Sequence, residues 1–466
     1  MLAVTGATVL LVDESTEVDG GSVLIDDGRV VASAGGPARG GSAAGGAAAD
    51  RTSAGGAADR TSADRTSAAG AETLDATGAI VTPGLVNAHH HLLQSVFRTL
   101  PGTRGVPMAE WLPTMAAAYS AAGIDASLLA ASAGVGIAEG LLSGVTTVAD
   151  HQLNWPADAS IDDRTAIAQA TAAAAARLGG RLVFVRGSAR DAPDDAAESA
   201  EAIVRALVPG TPGGVSADGL LQVAVGPAGV HSDSRETFEL LAEVAARHGL
   251  RRRTQANEQV DTAIALERYG RRPLDLLEEW GWLAADVTIA HLCDVTPSEV
   301  ARLASAGVTA THAPGCDLPM GWGISPIAAL RAAGVTVGLG TSGGGSNDAG
   351  HLLADARLAM QVAPLVGPPV SAREILGMAT AGGAAGLGRP ELGHLRPGAA
   401  GDLCVWDVSG VADAGVADRV AGLLWANPGR RPRHVVVAGR VVVRDYELVN
   451  ADEASLAAAA TARVPR

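Results

Sequence analysis

Between Gly144 and Ser342 six short β-type runs recur, GVTTVADH, RLVFVRGS, LQVAVGPAG, DVTIAHL, GVTATHAP and VTVGLGTS, with Ala-, Leu- and Glu-rich stretches between them. Runs rich in Val, Ile and Thr and bounded by Gly or Pro read as strands, and strands that alternate with helical segments point to βα units around a parallel sheet. About eight strand candidates fall between Ala79 and Leu387. That number and span predict an α/β fold, a (β/α)₈ barrel of the usual ~250 to 300 residues.

The flanks carry a different pattern. AVTGATVLLVD and GGSVLIDDGRVVAS at the start, and GDLCVWDV and RPRHVVVAGRVVVRD near the end, read as short strands and hairpins. A small β-sandwich built from both chain termini is the simplest expectation, with its N-terminal part in residues 1–80, the barrel in 81–388, and its C-terminal part and a tail in 389–466. Residues 34–70 collapse to Ala, Gly, Ser, Thr, Asp and Arg, with Asp50 to Ala54 echoed at Asp59 to Ala63 and Asp64 to Ala68. Such a stretch buries too little apolar surface to offset its chain entropy and is expected to be a disordered insertion.

Composition narrows the chemistry. All 35 cationic residues are arginine, against 50 acidic ones, for a net charge of −15. Without lysine there is no Schiff-base amine, no phosphate-loop lysine and no carbamylated bridge between two metals. The acidic balance and the lack of a basic stripe argue against a nucleic-acid partner. Cys293, Cys316 and Cys404 lie far apart with no CxxC, so none has the spacing of a zinc ligand and a reducing compartment is expected. No apolar run approaches a membrane span, and the first residues lack a basic leader and cleavage site; together these predict a cytoplasmic protein with no membrane partner.

In a barrel, the chemistry sits in the loops after the C-terminal strand ends. Polar residues gather there: His89 and His91 on the first strand, Asp150 and His151 on the second, Arg186 on the third, Gln255 and Glu258 on the fifth, His291 on the sixth, His312 on the seventh and Ser342 on the eighth. The period of two in a strand sends His89 and His91 to one side, and two imidazoles on one face make half of a transition-metal site.

The motifs VTPGLVNAHHHL from Val81, GPAGV from Gly226, Ala290-His291, Thr311-His312, DLPMGWGISPI from Asp317, GTSGGGSND from Gly340 and the HLLADARLA that follows resemble the amidohydrolase superfamily. Within it the chain is most similar to the branch of s-triazine hydrolases and of 8-oxoguanine and guanine deaminases. That resemblance implies one zinc or iron ion bound by the HxH pair, a strand-5 histidine and a strand-8 aspartate, with a glutamate three residues after the strand-5 histidine and a strand-6 histidine moving protons. Such an ion lowers the pKa of bound water to near neutrality. Carried over residue by residue, His89 and His91 match the pair, Glu258 the glutamate and His291 the strand-6 histidine; Gln255 and Ser342 stand where the other two ligands belong. A neutral amide oxygen is a poor ligand for an ion that prefers imidazole or thiolate.

Three readings follow. His291 completes a three-histidine site with His89 and His91 while Glu258 handles protons; or the protein is metal-free and Glu258 and His291 run a lyase, cyclase or isomerase reaction; or it is a non-catalytic binding descendant. The first predicts a hydrolase cleaving a C–N bond of a small planar nitrogen heterocycle, purine-, pterin- or triazine-like. His151, Arg186, His312 and Trp322 are candidate substrate contacts beside Gln255 and Ser342, and Trp111 and Trp155 could stack on a flat ring. Asp348 is expected to organise its loop rather than ligate, Gly343 to Gly345 to permit close backbone approach, and His248, His351, His394 and His434 to serve the scaffold. The resemblance also implies a homo-oligomer.

Overall fold

The computed structural model describes residues 1–35, 71–156 and 158–464. All but the first two residues of the expected insertion, including its Asp-Arg-Thr-Ser-Ala echoes, lie outside the described residues.

The parallel sheet runs through β1 (Leu85–His91), β2 (Val145–Gln152), β3 (Arg181–Ser188), β4 (Leu221–Pro227), β5 (Arg252–Ala256), β6 (Val287–His291), β7 (Thr309–His312) and β8 (Val337–Leu339), each hydrogen-bonded to the next. Two residues after β8, a short strand β9 (Ser342–Gly343) pairs with β1, Ser342 opposite His90 and Gly343 opposite His91. Between them Gly340 N–H donates to His312 O at 2.9 Å and Thr341 N–H to His89 O at 3.1 Å. β8 and β9 are thus one broken strand position joining the last strand to the first, and the sheet curls into a TIM-like barrel.

The strands are buried almost residue by residue, as expected where helices cover the outside and side chains fill the inside. Parity separates the two surfaces. Val183 and Val185 of β3 pack with Val86, Ala149 and Ala224 in the inner cluster, whereas Leu182 and Phe184 join the outer core with Ile203 and Leu241. The helix Pro193–Leu207 shows why these segments coil: it buries Ala196, Ser199, Ala200, Ile203 and Val204, one face at the helical period. At Gly226 a Cβ would fall 1.5 Å from Arg253 O, so only glycine lets β4 approach β5 this closely.

Strands from both chain ends form a second, continuous sheet. Its order is Glu447–Leu448, Arg440–Arg444, His434–Val437, Leu403–Asp407, Ala79–Pro83, Leu2–Asp13, Thr16–Asp26 and Arg29–Gly35, with Glu72–Asp75 beside Leu2–Asp13. The two ends meet where Leu403–Asp407 runs antiparallel to Ala79–Pro83. Ala79–Pro83 leads through Gly84 into β1, and Gly84 N–H donates to Asp402 O at 2.9 Å. The Asp402 carboxylate takes Arg181 Nε and Nη2 of β3 at 3.1 and 2.9 Å, and Ala438 N–H at 2.7 Å. One buried carboxylate therefore fastens the terminal sheet to the bottom of the barrel. Among the described residues no single helix is long and apolar enough to cross a membrane.

Candidate active site

Four imidazoles converge at the top of the barrel. The His89 ring lies 4.9 Å from that of His91, 5.2 Å from His291 and 5.9 Å from His151, between ring centres, and His91 and His151 stack at 6.0 Å. His91 Nδ1 is 2.7 Å from His151 O, an obligate acceptor, so the proton sits on Nδ1 and Nε2 keeps its lone pair. His151 Nε2 donates in the same way to Gly226 O at 2.9 Å. His89 Nε2 is buried without a partner. Burial, with help from the neighbouring imidazoles, holds His89 well below its ordinary value, His91 at about 4 and His151 at about 3, so all three are neutral at pH 7.

His291 behaves differently. Its Nδ1 meets Asp317 Oδ1 at 2.6 Å and its Nε2 meets Gln255 Oε1 at 3.0 Å and Glu258 Oε1 at 3.6 Å. Burial works to lower its pKa, but the charge and hydrogen bond of Asp317, with Glu258, hold it above the ordinary imidazole value. A protonated ring donating to both Asp317 and Gln255 satisfies every contact it makes. The Asp317 carboxyl is drawn down to about 2 by His291 and His312 against the cost of burial. Burial pushes the Glu258 carboxyl up to about 7, with His291 opposing and Asp317 reinforcing. Its Oε2 is buried and unpartnered. A carboxyl poised near neutrality beside an imidazole held toward its protonated form suits acid and base catalysis at pH 7.

The backbone is strained at the same place. Asn257, His291, Leu292 and Ser342, at the ends of β5, β6 and β9, all have positive φ, between 52° and 75°, although none is glycine. Residues held in this region cost of order 1–3 kcal/mol each and cluster where function demands an unusual direction.

The other expected residues divide. Trp322 packs edge-on against His291 at 5.1 Å with its indole N–H unpartnered. His312 is buried with both ring nitrogens unbonded, Nδ1 lying 3.5 Å from Asp317 Oδ2. Arg186 is a correction: it shares the outward parity of Leu182 and Phe184, and its guanidinium is bound to Ser199 Oγ, Gly187 O and Asp191 and stacked on Trp155, so it does not line the mouth. Trp155 and Trp111 donate to Gly187 O and Gly345 O and serve the loops. Asp348 accepts Thr99 N–H at 2.7 Å and pairs with Arg104, away from the imidazoles. A Cβ at Gly343 would lie 1.9 Å from Gln94 Oε1, which bears out the close approach of that loop. His248 pairs with Glu201, and His351 caps the helix Leu352–Val362.

Asp317 is the residue that the strand-end pattern missed. It lies past β7 on the short helix Pro314–Asp317, where no period marks it, and only its place at the head of DLPMGWGISPI singled out the segment. His231, partly exposed after β4, has a buried Nδ1 without a partner and was not anticipated either.

As a cradle for a metal at the HxH pair the donors are half a set. His89 and His91 offer two neutral nitrogens, but Gln255 Oε1 is engaged by His291 and Ser342 adds only a hydroxyl. Among the described residues, the one group of three or more His, Cys, Asp or Glu side chains whose ligand atoms all lie within 4.8 Å of one another is His291, Cys316 and Asp317. The HxH position therefore offers two imidazole nitrogens beside an amide oxygen and a hydroxyl.

Residues 80–442 match the sequence profile of the amidohydrolase family. The chain is 33% identical over 404 residues to the 8-oxoguanine deaminase of Pseudomonas aeruginosa, covering 83% of this chain and 87% of that protein. It is 30% identical over 413 residues to an isoxanthopterin deaminase from an unknown prokaryotic organism, covering 81% and 83%. The crystal structure of atrazine chlorohydrolase TrzN from Arthrobacter aurescens TC1 complexed with zinc superposes over the whole of both chains with a TM-score of 0.86 and 32% identity. With this match along most of its length and the barrel beneath it, the chain belongs to the amidohydrolase family.

Proposed function

We propose that this protein is a hydrolase that cleaves an exocyclic C–N bond of a small planar nitrogen heterocycle, a purine, pterin or triazine. The observation that carries the reading is the pair Glu258 and His291, buried side by side 3.6 Å apart, a carboxyl near pKa 7 and an imidazole that Asp317 and Glu258 hold above its ordinary value. Glu258 takes the proton of a water attacking the ring carbon and returns it to the ring nitrogen or the leaving amine. His291, aligned by Asp317, donates to the charge that builds on the substrate. Trp322 and His89 wall the flat ring, and His151, His312, Gln255 and Ser342 supply polar contacts. The relatives, which are deaminases and hydrolases of such rings, support the class of reaction, and the zinc-bound neighbours support a metal ion in the barrel mouth. Gln255 and Ser342 favour a second reading, in which the same two groups act without a metal.

The architecture expected from the sequence is carried with this reading: a barrel over 81–388 and a small sandwich of the terminal sheet around Val4, Leu10, Ile25, Val405 and Val436, in a cytoplasmic homo-oligomer. The test is ammonia or amine release from a panel of aminated purines, pterins and triazines. Turnover of one of them, lowered ~10²- to 10⁴-fold in Glu258→Gln with the fold intact, supports the reading. Wild-type turnover unchanged in Glu258→Gln refutes it.

A further inference from the structure

We propose that this chain holds a thiophilic divalent transition-metal ion, of the zinc class, on the β6–β7 side of the barrel mouth, with His291 Nδ1, Cys316 Sγ and the Asp317 carboxylate as ligands and His312 as the fourth. Two observations meet there. The first three ligands already place their donor atoms within 4.8 Å of one another, all buried. Around zinc, with metal–ligand distances of about 2.0–2.3 Å, neighbouring donors in a tetrahedron stand roughly 3.3–3.8 Å apart, so these three need only a small closing movement, and His312, outside the group of three but beside Asp317, would have to turn in. His312 is 1% exposed, and both of its ring nitrogens lack a hydrogen-bond partner although Nδ1 is 3.5 Å from Asp317 Oδ2. Burying an imidazole with neither nitrogen hydrogen-bonded is costly; beyond its charge contact with Asp317, ligating a metal is a role that would use one of them.

Charge agrees with geometry. A dication bound by one thiolate, one carboxylate and two neutral imidazoles is electroneutral, the state that a water-poor interior tolerates. The ion would replace the proton now shared by His291 Nδ1 and Asp317 Oδ1, and the thiol proton of Cys316 would leave to solvent. The ligand turn is braced from outside: Gly315 N–H donates to Asp355 Oδ1 at 2.8 Å, and Asn347 Nδ2 meets the other oxygen of that carboxylate at 3.0 Å. Such outer partners orient ligands. The site answers the deficit at the HxH pair, where two nitrogens face an amide and a hydroxyl. It leaves His291 Nε2 as a neutral N–H toward Gln255 and Glu258 and takes Asp317 and His312 from the roles given them in the reaction proposed above, so the two readings are tested by separate readouts.

The experiment uses the full chain, stripped by chelator and titrated with cobalt(II). One equivalent is expected to bind with a near-ultraviolet thiolate-to-cobalt charge-transfer band and the visible bands of a tetrahedral ion. Cys316→Ser should lose the charge-transfer band, His312→Asn should keep it while cobalt affinity falls about tenfold or more, and the double variant His89→Ala/His91→Ala should retain both band and stoichiometry. Absence of the band in the wild-type protein overturns the proposal. So does a band that persists in Cys316→Ser or vanishes in the His89/His91 variant. Ammonia release without the thiolate band would refute this site and leave the proposed reaction standing; the band without turnover would do the reverse.

Discussion

Removing the Asp402 carboxylate tests how the barrel is held to the terminal sheet. Asp402 and Arg181 are 4% and 3% exposed at their side chains, and the carboxylate receives both Arg181 Nε and Nη2 as well as the Ala438 N–H. Asp402→Ala strips the guanidinium of its only anion at that contact, leaving its bond to Gly219 O. Breaking a buried ion pair by removing one partner costs about 3–5 kcal/mol. The orphaned Ala438 N–H adds about 1–3 kcal/mol. Some of this is recovered as water enters, so the expected loss is about 4–6 kcal/mol in urea denaturation followed by far-ultraviolet circular dichroism. Arg181→Met should cost about 3–5 kcal/mol by the same reasoning. The double variant Asp402→Ala/Arg181→Met leaves no uncompensated charge, so it should fall short of the sum of the singles by about 2–3 kcal/mol. Because the backbone carbonyl of Asp402 also receives the Gly84 N–H that starts β1, the single variants should loosen the strand that presents His89 and His91. Single variants within about 1 kcal/mol of wild type, or strict additivity, would refute the clamp.

Further outcomes follow from other parts of the structure. Arg186→Met should cost about 3–5 kcal/mol of stability through the lost Asp191 pair while leaving KM for a turned-over heterocycle unchanged; a selective rise in KM would return Arg186 to the substrate. Gly343→Ala should destabilise by at least about 1–3 kcal/mol in the same denaturation assay, because the new methyl group meets Gln94 and its bond to Gly345 N–H. Burial raises the Asp233 carboxyl to about 6, against hydrogen bonds from Ser188, Ser232 and Arg190. Ionising it therefore costs the folded state, nothing below pH 3.8 and progressively more up to pH 6. Asp233→Asn should accordingly gain up to about 3 kcal/mol over wild type at pH 8 and nothing near pH 3.5, and an equal effect at both pH values would refute the assignment.

What was legible in the sequence was whatever the chain repeats. The strand runs between Gly144 and Ser342, each with its helix, specify the barrel, and the strand-end rule expects His89, His91, Gln255, Glu258, His291, His312 and Ser342 at one mouth; the structure brings the rings of His89, His91 and His291 together and sets Gln255 and Glu258 against His291. Two things escaped for opposite reasons. Arg186 was misplaced although the signal was present, because the alternation that sends Val183 and Val185 inward sends Arg186 outward to Ser199, and a strand-end position alone does not decide the face. Asp317 and Cys316 carried no signal of that kind: they lie on a single helical turn after β7, and their neighbourhood is set by β6, whose His291 stands 26 residues before Asp317 in sequence. The absence of lysine confined any metal to histidines and carboxylates, and the spacing of the cysteines told against their ligating zinc. Spacing finds ligands that share one element, whereas His291, His312, Cys316 and Asp317 are brought together by adjacent strands of a closed sheet. In a barrel, the next strand's loop is as near as the next residue, so a missing ligand at β5 and β9 has to be weighed against every donor on the neighbouring strands before the site is counted as lost.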